Sequence, residues 1–276
     1  MLEILAVLAG LAMPAGPSFS YLDSSSAKPP VVRVVSHEYT FDAPDRVPAG
    51  AVTFELRNEG AEPHHAWIVR FDGGHDLADY MEAVHEGRGD TPTWAVDMGG
   101  PMVMMEPGAV SNATIDMKPG RYAIVCHVPS PDGITHLEKG MAKEFIVEEP
   151  AGPSEAMPAA DVTIDLVDYA FVIEKPLHPG RQRVRFTNTS EQTHELVLWR
   201  LDEGAHVDDL IAWVFNMEGP PPGAVVGGVS GIAPGVENLV ELDLAAGRYA
   251  ATCFVPDAGD GMPHTDHGMK VEFEVK

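Results

Sequence analysis

Cysteine is scarce in this chain: there are 2 in 276 residues. One pair cannot form the dense disulfide framework that staples small secreted domains. Basic residues are also few, with 18 Lys and Arg against 42 Asp and Glu, for a formal net charge of -24. That balance argues against nucleic acid and anionic membrane as partners, because both would repel the chain. It is compatible with a basic protein partner and equally with a highly soluble acidic surface. Long apolar runs are missing: the longest, Ile4 to Met13, is too short to span a bilayer as a helix. There is no Gly-rich phosphate loop and no nucleophile elbow. A hydrophobic content of 45% is nevertheless enough for packed cores, so a disordered chain is not expected.

The apolar run lies in residues 1–20, MLEILAVLAGLAMPAGPSFS, and is followed by small residues and the polar stretch YLDSSSAKPP. This resembles a secretory signal peptide, although Glu3 stands where a basic residue is usual. A periplasmic or secreted protein is therefore expected.

The chain is written twice. EYTFDAPDRVPAGAVTFELRNEGAEPHHAWIVRF, from Glu38, aligns with DYAFVIEKPLHPGRQRVRFTNTSEQTHELVLWRL, from Asp168. Tyr39 falls on Tyr169, Asn58 on Asn188 and His64 on His194. Further on, PGRYAIVCHV matches AGRYAATCFV, placing Tyr122 on Tyr249 and Cys126 on Cys253. His136 then falls on His264 and Met141 on Met269. Each copy is domain-sized, which excludes a short-repeat solenoid. The expected organisation is a first domain at 31–149, a Pro/Ala-rich linker at 150–160 and a second domain at 161–276. Equivalent positions in tandem domains seldom touch, so Cys126 and Cys253 are poor disulfide partners.

Within each copy the periodicity is that of strands. VVRVVSHEYTF, AVTFELRN, HAWIVRF, SNATIDM, GRYAIVCHV and AKEFIVEE alternate or form short apolar runs, and the second copy repeats them. One helical pattern interrupts each copy, at DLADYMEAVHEG and VDDLIAWVFNMEG. The fold class read from this is all-β: two tandem Greek-key β-sandwiches, each with a short helical insertion.

Four residue types recur in register: His64, Cys126, His136 and Met141, then His194, Cys253, His264 and Met269. Two imidazoles, a thiolate and a weak thioether are the donor set of a type 1 copper site. On these residues both copies resemble cupredoxin domains. The opening Y-x-F, the turn before the next strand, the N-x5-H spacing and the H-x4-M of HLEKGM and HTDHGM all resemble that family. The segment between cysteine and second histidine departs from small cupredoxins. It is C-x9-H and C-x10-H, similar in length to the type 1 loop of copper nitrite reductases. The resemblance implies a mononuclear copper in each copy, Cu(I)/Cu(II) electron transfer and a redox protein as partner. The alternative is a metal-free cupredoxin-like binding module, or one that holds copper for delivery.

Other candidates lack repetition. His65 aligns with Glu195, His127 with Phe254 and His267 with Lys139. His127 after Cys126 is similar to the Cys-His of multicopper oxidases, but Val125 and Thr252 precede the cysteines where those enzymes carry histidine. No His-x-His pair occurs. These absences lead to the expectation that the chain is not an enzyme. Met98, Met102, Met104 and Met105 suit core packing better than soft-metal binding. RGD at 88–90 is a short match of the kind chance produces, and Asn188, repeating Asn58, suits a turn better than glycosylation.

Overall fold

The computed structural model describes residues 28–86, 91–150 and 155–276. The leader-like segment, the RGD tripeptide and part of the 150–160 linker lie outside them. The first copy runs β1 (Val31–His37), β2 (Thr40–Asp42), β3 (Arg46–Pro48), β4 (Gly50–Asn58), β5 (Trp67–Phe71), α1 (Leu77–Glu86), β6 (Ala95–Gly99), β7 (Val110–Met117), β8 (Gly120–Val125) and β9 (Ala142–Glu148). The second runs β10 (Val162–Val167), β11 (Ala170–Ile173), β12 (Gly180–Asn188), β13 (His194–Leu201), α2 (Val207–Asn216), β14 (Gly223–Ile232), β15 (Glu237–Leu244), β16 (Gly247–Thr252) and β17 (Lys270–Val275). Both expected helices are present, in equivalent places.

Alternation decides which faces are buried. In β1 the valines at 32 and 34 point inward while Val31, Arg33 and Val35 face outward or lie half-buried. Phe54, Leu56, Ile68, Ile115 and Ile124 share one core in the first copy; Val184, Phe186, Leu198, Val240 and Leu242 share the equivalent core in the second. Each such large side chain contributes about 1.5–3 kcal/mol by leaving water. A tyrosine corner closes each sandwich: the Tyr122 hydroxyl donates to the Lys118 carbonyl at 2.8 Å, and Tyr249 donates to Ala245 at 2.7 Å.

The two copies are not separate beads. One sheet has the order β11-β10-β12-β15-β7-β4-β1-β2, and the other β17-β16-β13-β14-β6-β5-β8-β9-β3. Both sheets therefore run through the boundary between halves. They join at equivalent strands, β7 with β15 (Thr114 opposite Leu239) and β6 with β14 (Met98 opposite Ile232), both antiparallel. Antiparallel pairing of equivalent strands gives a pseudo-two-fold relation between the halves. This corrects the expectation that equivalent positions keep apart: exposed edge strands are unpaired hydrogen-bonding rows, and each half uses the other to cover them.

Side chains lock this register. Asn112 donates to the Glu241 carbonyl and accepts from the Glu241 amide, both at 2.9 Å. Asn238 accepts from the Gly100 amide at 3.0 Å and donates to the Met98 carbonyl at 2.8 Å. Gly231 lies under the Trp67 indole, where a Cβ would sit 2.0 Å from a ring carbon. Met98 packs in the first core, and Met102 packs against Val197, Trp199 and Leu210 of the second half. These buried methionines are packing groups.

Candidate metal centres

Each histidine loop is set by an asparagine at the end of the preceding strand. Asn58 donates to the carbonyls of Glu62 at 2.9 Å and Met104 at 3.1 Å, and accepts from the Gly60 amide at 2.9 Å. Asn188 donates to Gln192 and Ile232, both at 2.7 Å, and accepts from Ser190 at 2.9 Å. Both asparagines are buried, so the turn role expected for Asn188 holds. His194 emerges from its loop at the head of β13, and His64 stands just before β5, bridged to Met104.

Cys126 and Cys253 directly follow β8 and β16, and the chain then folds back on them. The Cys126 amide donates to Met141 and the Leu137 amide donates to Cys126. The Met141 amide donates to His136 at 2.8 Å, and the Met269 amide donates to His264 at 2.9 Å. These bonds carry the second histidine and the methionine back over the cysteine. Both cysteines are free and buried, each in the core of its own half together with Met141 or Met269.

The structure thus brings each repeated set together. In the first half His64 Nδ1 lies 3.0 Å from His136 Nδ1, and Cys126 Sγ lies 3.4 Å from His136 Nδ1 and 4.0 Å from His64 Nδ1. In the second half the corresponding distances are 3.0, 3.3 and 3.9 Å, for His194, His264 and Cys253. An ion at the centre of either triangle would sit about 2 Å from all three donors, the range of metal–nitrogen and metal–sulfur bonds. All six side chains and both methionines are fully buried.

Electrostatics favour neutral donors. Burial, and then the neighbouring His136, lower the His64 pKa to about 4. Burial and then His194 do the same to His264, to about 4. Burial lowers the His194 pKa as well and pushes the Cys126 thiol up to about 12 and the Cys253 thiol higher still. Neutral imidazoles present lone pairs, and a thiol loses its proton when a metal takes it.

The outer edges of the imidazoles differ between halves. His136 Nε2 meets the Glu62 carboxylate at 2.8 Å, whereas His264 Nε2 meets the Gln192 amide oxygen at 3.3 Å. His194 Nε2 meets Asp168 at 3.2 Å, whereas His64 Nε2 is buried with no hydrogen-bond partner among the described residues. Tyr39 and Tyr169 stand edge-on over His136 and His264, with ring centres 5.3 and 5.6 Å apart. Both tyrosines are held at φ of 60° and 63°, a left-handed backbone uncommon for a bulky residue and concentrated at functional sites. His267 points away from the triad, toward Asp260 at 3.2 Å and the Tyr169 ring. The tyrosines stand out in the sequence only as the repeated pair Tyr39 and Tyr169, and the outer carboxylates do not stand out there. Glu62 at least lies close to His64 in the chain, whereas Asp168 lies far from His194 and only the fold brings them together.

Each half is a β-sandwich with a buried His-Cys-His group, the arrangement expected of a cupredoxin-like fold. No family model and no curated protein matches the chain. Among solved structures, it is similar to auracyanin A, a "blue" copper protein from Chloroflexus aurantiacus, at 20% identity and a TM-score of 0.31, over 44% of this chain and 100% of that one. It is also similar to a multicopper oxidase at 16% identity and a TM-score of 0.24, over 89% of this chain and 88% of that one. A copper-containing nitrite reductase from Thermus scotoductus is 14% identical with a TM-score of 0.24, over 89% and 61% of the two chains.

The expectation that the chain is not an enzyme is corrected by these last two, an oxidase and a reductase, which are enzymes. A missing His-x-His spacing removes only a local motif. Groups that act on a substrate are assembled in space from distant strands, so that absence does not exclude catalysis.

Proposed function

We propose that the chain is an exported electron-transfer protein with one type 1 copper in each half. His64, Cys126, His136 and Met141 hold one ion; His194, Cys253, His264 and Met269 hold the other. The observation that carries this is the pair of matched, fully buried His-Cys-His triangles, each large enough for one ion. When bound, copper supplies a one-electron couple. The chain's own residues do the rest. Asn58 and Asn188 orient the strand histidines, the folded-back loops exclude water, and Glu62 and Asp168 fix which nitrogen of His136 and His194 is free to coordinate. Little rearrangement is needed between oxidation states, because these bonds exist without the metal. The domains are 31–149 and 161–276 around the 150–160 linker, with export directed by residues 1–20. The acidic surface favours a basic redox protein as partner.

Copper titration of the purified protein, followed by visible absorption and electron paramagnetic resonance, tests the reading. Two equivalents taken up with intense visible colour support it. Copper bound without colour makes the protein a copper holder, and no uptake makes it a metal-free binding module.

A further inference from the structure

Three side chains that differ between the two halves, His65, Trp67 and His127, gather beside the boundary between them. His65 and His127 directly follow the first half's His64 and Cys126. Both imidazoles pack on the Trp67 indole, with ring centres 5.6 and 4.9 Å away, and the His127 amide donates to His65 Nε2 at 2.8 Å. The indole Nε1 donates to Asp97 Oδ1 at 2.9 Å. The other oxygen of Asp97 accepts from the Thr193 hydroxyl at 2.9 Å, across the boundary between halves. Thr193 is the residue before His194 of the second triad. Asp97 is buried, with 2% exposure, and Trp67 is 7% exposed.

These contacts form a continuous path. It leaves the first triad by two ligands, His64 and Cys126, gathers at Trp67, crosses through Asp97 and reaches the second triad at His194. Only the contact of the imidazoles with the indole is made through space; every other link is a covalent or hydrogen bond. Electronic coupling decays more slowly through bonds than across gaps, so such a path outcompetes routes through aliphatic packing. None of it is inherited with the repeat: Glu195, Val197 and Phe254 occupy the places of His65, Trp67 and His127.

We propose that Trp67, Asp97 and Thr193 make the paired halves an electron relay. One electron passes from the reduced centre of one half to the oxidised centre of the other. No bond is made or broken and no proton is transferred. The electron enters from one redox protein and leaves to another. This rests on the copper reading above.

Thr91 supplies the control, since its hydroxyl also donates to Asp97 Oδ2, at 3.2 Å, but leads to neither triad. In protein holding two coppers, a sub-stoichiometric one-electron pulse reduces one centre, and redistribution to the other is followed by absorption. Thr193→Val is expected to slow the concentration-independent phase by about tenfold or more, the lower end of what outer-shell changes at metal centres cost. Thr91→Val is expected to leave it unchanged, and both variants keep each centre's spectrum and potential. Equal slowing by both variants, or no slowing in Thr193→Val, overturns the relay. A second readout needs no electron transfer. With Cys126→Ser and Cu(I) loaded in the second half alone, the Trp67 indole N–H resonance is expected to shift, and Thr193→Val is expected to remove that shift. A resonance that ignores loading overturns the path. Failure of the protein to take up copper overturns the copper reading and the relay with it. Uptake with unaltered transfer overturns the relay alone.

Discussion

Glu62 and Gln192 stand at the same point of two equivalent loops, and each faces the outer nitrogen of a triad histidine. In one half that contact is a carboxylate at 2.8 Å, in the other an amide at 3.3 Å. A carboxylate strengthens the donor power of the imidazole it holds and so favours the more highly charged metal state. Replacing it by an amide, Glu62→Gln, is expected to raise the potential of the first centre. Asp168→Asn does the same in the second half, where the carboxylate sits on His194 instead. Spectroelectrochemical titration reads both, and an unmoved potential in each variant would show that these carboxylates do not tune the metal.

The loop-setting asparagines give a stability prediction in the metal-free protein. Asn58→Ala leaves the Gly60 amide and the Glu62 carbonyl without their partner and removes one of the two donors to the Met104 carbonyl, which keeps the His64 amide. Leaving a buried polar group unpaired costs about 1–3 kcal/mol. The urea midpoint should fall accordingly, and Asn188→Ala should fall by a similar amount. Copper affinity should drop with it, because His64 loses the loop that aims it. Wild-type stability together with wild-type affinity would contradict this account.

Much of this was legible in the sequence, and the exceptions have physical causes. Strands β1, β4 and β7 announce themselves largely by alternation, and β5 and β8, buried along most of their length, by short apolar runs. The eight candidate ligands are legible because soft and borderline donors recur in register, a pattern that packing alone does not require. Strand β14 was missed because GAVVGGVSGI is rich in glycine, which normally weakens a strand. Here the glycines permit close approach: a Cβ on Gly228 would meet the Leu196 carbonyl at 1.9 Å. The joining of the halves was equally hidden. Pairing between two copies leaves no periodicity, and the Trp67–Asp97–Thr193 contacts link residues far apart in the chain that have no counterpart in the other copy.

The boundary between halves should be sensitive to the smallest added group. Gly231→Ala puts a methyl into the Trp67 ring, and overpacking of this kind costs about 1–3 kcal/mol. Calorimetry should show a lower melting temperature and, if the halves loosen before they unfold, a transition that splits in two. A single transition at the wild-type temperature would mean that the indole moves aside without cost and that the halves are not held there.

The last expectation concerns the independence of the two centres. Each triangle is closed by side chains of one half only, and each cysteine is buried in its own core. Copper–thiolate charge transfer requires the sulfur, and a hydroxyl is a harder and far less acidic donor than a thiol. Cys126→Ser should therefore remove one coloured centre and leave the other with its own spectrum. Cys253→Ser should do the converse, and the double variant should be colourless while keeping the sandwich fold by circular dichroism. Thiol titration of the unfolded, metal-free protein supplies the complementary measurement: two reactive thiols are expected. A single substitution that abolishes all colour would mean that both halves contribute to one site. In that case the two triangles, each 3.0 Å across its histidine pair, would not be the places where copper binds.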